Sequence, residues 1–190
     1  MAKHPYAKDY RIIEDVDEKG RLKTSVEYKG PDYRVKAGPG CIRRLIAVTA
    51  AGWICFVAAM IPPSAAMHTL RVSLIFVFAA IPLFLTTQTV LFLKGLMKKD
   101  AQTGVIVKRK EYELFTNRFP AQTFFVFLLS LFALAGEITV LIAGKGRMPG
   151  DAVFLAGTAG LCAAGLADFK LRRGIEAFEE AKGPHETVSN

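Results

Sequence analysis

Nothing in the sequence groups the residues that usually carry metal or redox chemistry. The three cysteines, Cys41, Cys55 and Cys162, are scattered and lack metal-ligand spacing. They read as small buried apolar residues. His4, His68 and His185 form no cluster either. A phosphate-binding glycine loop is missing too. GKGRMPG, residues 144–150, is glycine-rich but has no strand–turn–helix setting. Asp, Glu, His, Ser and Cys show no nucleophile–base spacing. These absences predict a non-enzyme without cofactor or metal. A removable secretory signal is not expected, because the first 40 residues are polar and charged. The first apolar run is expected to stay in the chain and direct its insertion.

Long apolar runs are what the sequence has in quantity. The hydrophobic share is 52%, close to a soluble average, but it is unevenly distributed. It is concentrated in residues 45–61, 72–93, 121–144 and 152–169. Crossing a hydrocarbon layer roughly 30 Å thick takes about 20 mostly apolar residues as helix. A lipid-facing run must satisfy its backbone internally, which selects helices. The predicted fold is therefore an all-α integral membrane protein. Its four transmembrane helices form two helical hairpins, with a small N-terminal cytoplasmic β-hairpin. Residues 1–40 make the N-terminal segment, 41–170 the four-helix region and 171–190 a helical extension and tail. Pro62-Pro63 ends the first span, and Pro82 kinks the second by removing a backbone hydrogen bond.

The net charge of +8 does not require a nucleic-acid partner. Of 25 Lys and Arg residues, 22 fall in residues 1–44, 94–118 and 170–190; the others are Arg71, Lys145 and Arg147. Cytoplasmic loops carry such an excess, so both termini and the middle segment are predicted to be cytoplasmic, with the plasma membrane as the location. Arg43, Arg44, Lys94, Lys98, Lys99, Arg172 and Arg173 are placed at the inner face, against anionic lipid headgroups.

Residues 10–28, YRIIEDVDEKGRLKTSVEY, alternate apolar and polar. Period two predicts strands. A three-residue turn at Glu18-Lys19-Gly20, with Gly20 at positive φ, pairs Tyr10 with Tyr28, Ile12 with Val26, Glu14 with Thr24 and Val16 with Leu22. A slip of one residue would break every such pair. A lone hairpin is marginal in water and needs a partner surface. Residues 103–115 fit either a second hairpin or a short basic helix. After the fourth run, a helix is expected to continue through LRRGIEAFEEAKG. Arg172 and Glu176 would pair one turn apart, and Gly183-Pro184 would end it.

Polar residues within the runs are the candidate sites. Glu137 lies in FALAGEITVLIAG, residues 132–144, about 9 Å inside the outer end of its span at 1.5 Å per residue. A carboxyl at that depth is expected to face protein, to be neutral, and to meet Thr158 on the fourth span. Ala156, Gly160, Ala164 and Asp168 recur every four residues and predict a close-packed helix face. Two functions follow. The first is an accessory, scaffolding or assembly subunit that binds another membrane subunit or itself. The second is a small oligomeric transporter or channel that handles ions or protons through Glu137.

Overall fold

The computed structural model describes residues 9–16, 22–61, 70–98, 104–144 and 149–179. The expected Glu18-Lys19-Gly20 turn, Lys99, the connections at 62–69 and 145–148 and the Gly183-Pro184 stop lie outside these residues. The chain is mostly helical. Four helical stretches are long and apolar enough to cross a membrane: Pro39–Met60, Val72–Met97, Arg109–Ile142 and Gly150–Gly174.

Strands β1 (Tyr10–Val16) and β2 (Leu22–Tyr28) pair antiparallel. Their register joins Tyr10 to Tyr28, Ile12 to Val26, Glu14 to Thr24 and Val16 to Leu22, as the alternation predicts. Strand β3 (Tyr33–Ala37) follows, with Tyr33, Val35 and Ala37 buried and Arg34 and Lys36 on the other face. Helix α1 (Pro39–Met60) starts on a proline, whose missing N–H costs nothing in a first turn.

The second run is two helices, α2 (Leu70–Phe78) and α3 (Ala80–Met97). The interruption lies just before Pro82. A proline ring clashes with the carbonyl four residues earlier and gives it no donor, which here is Phe78. The chain resumes its ladder with Leu83 N donating to Ala79 O at 3.3 Å.

Residues 104–115 form neither the expected second hairpin nor a helix alone, because the one short strand here finds its partner in β3 and a short helix follows it. Strand β4 (Val105–Val107) leads into helix α4 (Arg109–Glu113). A π-turn, Leu114–Arg118, joins α4 to α5 (Phe119–Ile142). Helix α6 (Gly150–Leu171) follows.

One expectation fails at the C-terminal side. The helix does not continue through 172–179. A single 3-10 turn, Arg172–Gly174, leads into strand β5 (Ile175–Glu179), so Arg172 and Glu176 are not a helical pair. The physical reason is an available edge. β3 accepts β4 on one side and β5 on the other, both antiparallel. Ile175 and Ala177 then pack against the apolar cluster under the sheet. Three segments that look dispersed in sequence thus build one sheet, capping the ends of α1, α3, α5 and α6.

Two apolar clusters hold the fold. One lies between the sheet and the helix ends and includes Val35, Leu45, Leu93, Phe115 and Phe119. The other lies inside the bundle and includes Phe56, Phe76, Leu83, Phe154 and Leu161. Helix α6 packs most extensively against α1 and α5. Glycines allow the approach. A β-carbon on Gly157 would stand 2.8 Å from the Cys55 carbonyl oxygen of α1, and one on Gly165 would stand 2.8 Å from the Phe127 amide nitrogen of α5.

The predicted small-residue stripe is rotated by about one position. Ala156 is exposed and Gly160 half-buried, whereas Gly157, Ala164, Gly165 and Asp168 are buried. Gly160 still faces α1, where a β-carbon would stand 2.5 Å from the Cys55 sulfur. Spacing by four describes two neighbouring helix faces when glycine and alanine occupy both. The bulky Phe154 and Leu161 select the buried one.

Candidate functional site

Glu137 ends the buried stripe of α5: Phe119, Thr123, Val126, Ser130, Ala133 and Glu137. The steps alternate between three and four residues, which keeps one helix face turned inward. The carboxyl is fully buried, with 0% exposure. Neither of its oxygens accepts a hydrogen bond from a donor among the described residues.

The group it meets is the carboxyl of Asp151, also fully buried, in the first turn of α6. Two ionised carboxylates are acceptors only. Their contact is favourable when a proton lies between them and one acid donates to the other. Without it, like charges repel in a weakly screened interior.

Thr158 is not the partner of Glu137. Its hydroxyl donates within α6, with Phe154 O at 2.8 Å and Leu155 O at 3.1 Å. Threonines in apolar helices satisfy themselves this way when nothing better competes. Thr139 behaves alike, donating to Ala135 O at 2.8 Å.

A second acid lies toward the sheet end of α6. Asp168 is 2% exposed and faces Thr49 of α1. The Thr49 hydroxyl is 2.8 Å from Leu45 O and 3.1 Å from Asp168 Oδ2. A hydroxyl has one proton for these two acceptors. A proton on Asp168 donated to Thr49 Oγ1 completes both bonds. Asp168 Oδ1 is buried without a hydrogen-bond partner among the described residues. Asp151, Phe154, Thr158, Leu161, Gly165 and Asp168 form one buried stripe, with an acid near each end.

The basic residues placed at the inner face sit around the sheet end. Arg43, Arg44, Lys94, Lys98 and Arg173 are exposed. Arg172 is half-buried, its guanidinium 4.5 Å from the centre of the Phe169 ring. Among the described residues, no three His, Cys, Asp or Glu side chains converge as a metal site would require.

Among the described residues, the β1–β2 hairpin is fastened at its base. Arg109 lies 3.8 Å from Asp9, and the Arg109 amide donates to Tyr28 Oη at 3.1 Å. Tyr28 in turn donates to Pro31 O at 2.9 Å. Burial raises its phenol above the ordinary tyrosine range, which keeps that proton in place. Lys108 Nζ stands 5.8 Å from the Tyr10 ring centre and 5.3 Å from that of Tyr28, within cation–π range. Further along the same face, Ile12 is 65% exposed and Val26 64%.

Compared with protein-family models, curated proteins and solved structures, the chain matches none. The geometry of these groups is therefore what a functional reading has to use. Sequence reasoning missed Asp151 and Thr49. Asp151 reads as the last residue of a polar turn, but the three-and-four spacing back from Asp168 through Leu161 and Phe154 reaches it.

Proposed function

We propose that this chain is a multi-pass membrane protein acting as a non-enzymatic accessory, scaffolding or assembly subunit of a larger membrane complex. The sheet end faces the cytoplasm, and the membrane is the plasma membrane. The observation carrying the proposal is the hairpin with an anchored base and an apolar face left open at Ile12 and Val26. An exposed apolar face on an ordered element is the signature of a docking surface. The acids fit this reading as interhelical fasteners, since Glu137 and Asp151 meet between α5 and α6 and Asp168 meets α1.

A photoreactive phenylalanine analogue at position 12 or 26, activated in native membranes, tests the docking. The expected result is a discrete heavier adduct with one membrane protein from both positions. Adducts with lipid or with nothing, from both, would remove the proposal.

Sidedness is tested separately. Shared membership of β3, β4 and β5 in one sheet supports a common side for their segments, as does the Lys and Arg asymmetry. Single cysteines at positions 26 and 144, in a background without the native three, should react differently with an impermeant maleimide on intact cells. Position 144 is expected to label, and position 26 only after lysis. Labelling of both before lysis would contradict the orientation.

A second reading, a small oligomeric proton or ion transporter, is favoured by the contact between the Glu137 and Asp151 carboxyls. It requires that Glu137→Gln abolish solute-coupled proton flux in liposomes without loss of folded protein.

A further inference from the structure

We infer that the groove between the second helical run and α5 is a binding site for one anionic phospholipid, with its phosphate at Arg118. The inference rests on the membrane reading, with the sheet end at the headgroups. The groove has a volume of about 550 Å³. Its apolar walls include Phe78, Ile81, Pro82, Leu85, Phe125 and Leu129. Pro82, which interrupts the helical ladder between α2 and α3, lies in one wall, and the small Ala121 lies in the lining with it.

Charge selects the occupant. Arg118 lines the mouth of the groove, is exposed, and forms no ion pair among the described residues. It ends the π-turn between α4 and α5, where one extra residue widens the helix. Glu111, an acid lining the adjoining depression, is engaged by the Lys108 amide, which donates to its Oε2 at 3.0 Å. A guanidinium at headgroup depth matches a phosphodiester in shape and charge.

A second polar group lies one helical turn deeper. Gln122 lines the groove beside Thr89, whose hydroxyl is 3.0 Å from Leu85 O and 3.1 Å from Gln122 Oε1. The hydroxyl has one proton for these two acceptors, and with either end of the Gln122 amide turned to Thr89 at least one of its two N–H groups is left over as a donor. Arg118 and Gln122 are four residues apart, about 6 Å along the axis. A glycerol unit separates a phosphate from the acyl ester carbonyls on this scale, so Gln122 is placed to donate to an ester. From Arg118 to Leu129 the groove runs about 16 Å at 1.5 Å per residue, close to the thickness of one leaflet. The site therefore offers a phosphate contact, an ester contact and an acyl slot in the order a phospholipid presents them.

The test uses the full chain in phosphatidylcholine nanodiscs containing a small fraction of phosphatidylglycerol with a photoactivatable acyl chain. Adducts are mapped by mass spectrometry after proteolysis. The expected result is labelling concentrated in residues 78–85 and 121–129. Arg118→Ala should reduce it about tenfold, and Arg118→Lys much less, given the strength of a charge-assisted contact. An acyl-matched phosphatidylcholine probe, which has the phosphodiester but a choline cation that opposes Arg118, should label the groove more weakly than phosphatidylglycerol does. Leu85→Trp, which fills the slot and leaves Arg118 in place, should also displace the label. Equal labelling by both probes, or adducts spread evenly around all the apolar helix faces, would overturn the site while leaving the membrane reading intact. Failure of the folded chain to enter nanodiscs would overturn both.

Discussion

Gly165→Leu is expected to lower the midpoint of thermal unfolding in detergent on the order of 10 °C, corresponding to about 3 kcal/mol. A β-carbon at Gly165 would stand 2.8 Å from the Phe127 amide nitrogen and 3.1 Å from its α-carbon. These are backbone atoms, so no rotamer change relieves the contact. Helices α5 and α6 must separate, which also pulls Asp151 away from Glu137. Gly95 supplies the control, since nothing lies within 4 Å of a β-carbon there. Gly95→Leu should change the midpoint by far less. If the two variants melt together, the close α5–α6 approach is not what holds the bundle.

Glu137→Leu is the second large effect. It puts hydrocarbon against the buried Asp151 carboxyl and removes the polar contact between the two acids, worth about 0.5–1.5 kcal/mol as a hydrogen bond. Glu137→Gln should cost less, because its amide donates to Asp151 and needs no shared proton. The pair itself is measured by a double-mutant cycle with Asp151→Leu. A direct contact predicts a coupling of about 0.5–3 kcal/mol. Strictly additive losses would mean that the two carboxyls do not interact. The same Gln variant separates the functional readings: a fastener tolerates it, and a proton carrier does not.

The parts of this fold that were legible are those set by local periodicity. Tyr10, Ile12, Val26 and Tyr28 share one parity, and their register followed from it. Pro82 marked the interruption between α2 and α3 because a missing amide acts within four residues of itself. What was not legible depends on distant partners. Ile175–Glu179 reads as the end of a helix until β3 is present to receive it. The apolar surroundings of Glu137 mark it as inward-facing, yet depth alone points to Thr158 as its partner. Depth takes no account of the habit of threonine to bond its own helix. Spacing points to Ala156 as readily as to Gly157 because small residues occupy both faces of α6, and contact with α1 distinguishes them.

The sheet also imposes an order of events on synthesis. β3 is the central strand, but its neighbours come much later in the chain, with Ala37 paired to Ile175 and Tyr33 to Glu179. At roughly 5–20 residues per second, the chain needs roughly 7–28 s to supply β5 after β3 has emerged. During that interval β3 keeps an open edge, the form of strand most prone to wrong pairing. The β5 edge closes only when α6 has delivered the C-terminal segment to the same end as β3. Completion of this small sheet therefore requires α1 and α6 to bring Ala37 and Ile175 to the same end of the bundle, so the C-terminal segment closes a structure begun at the N-terminal side.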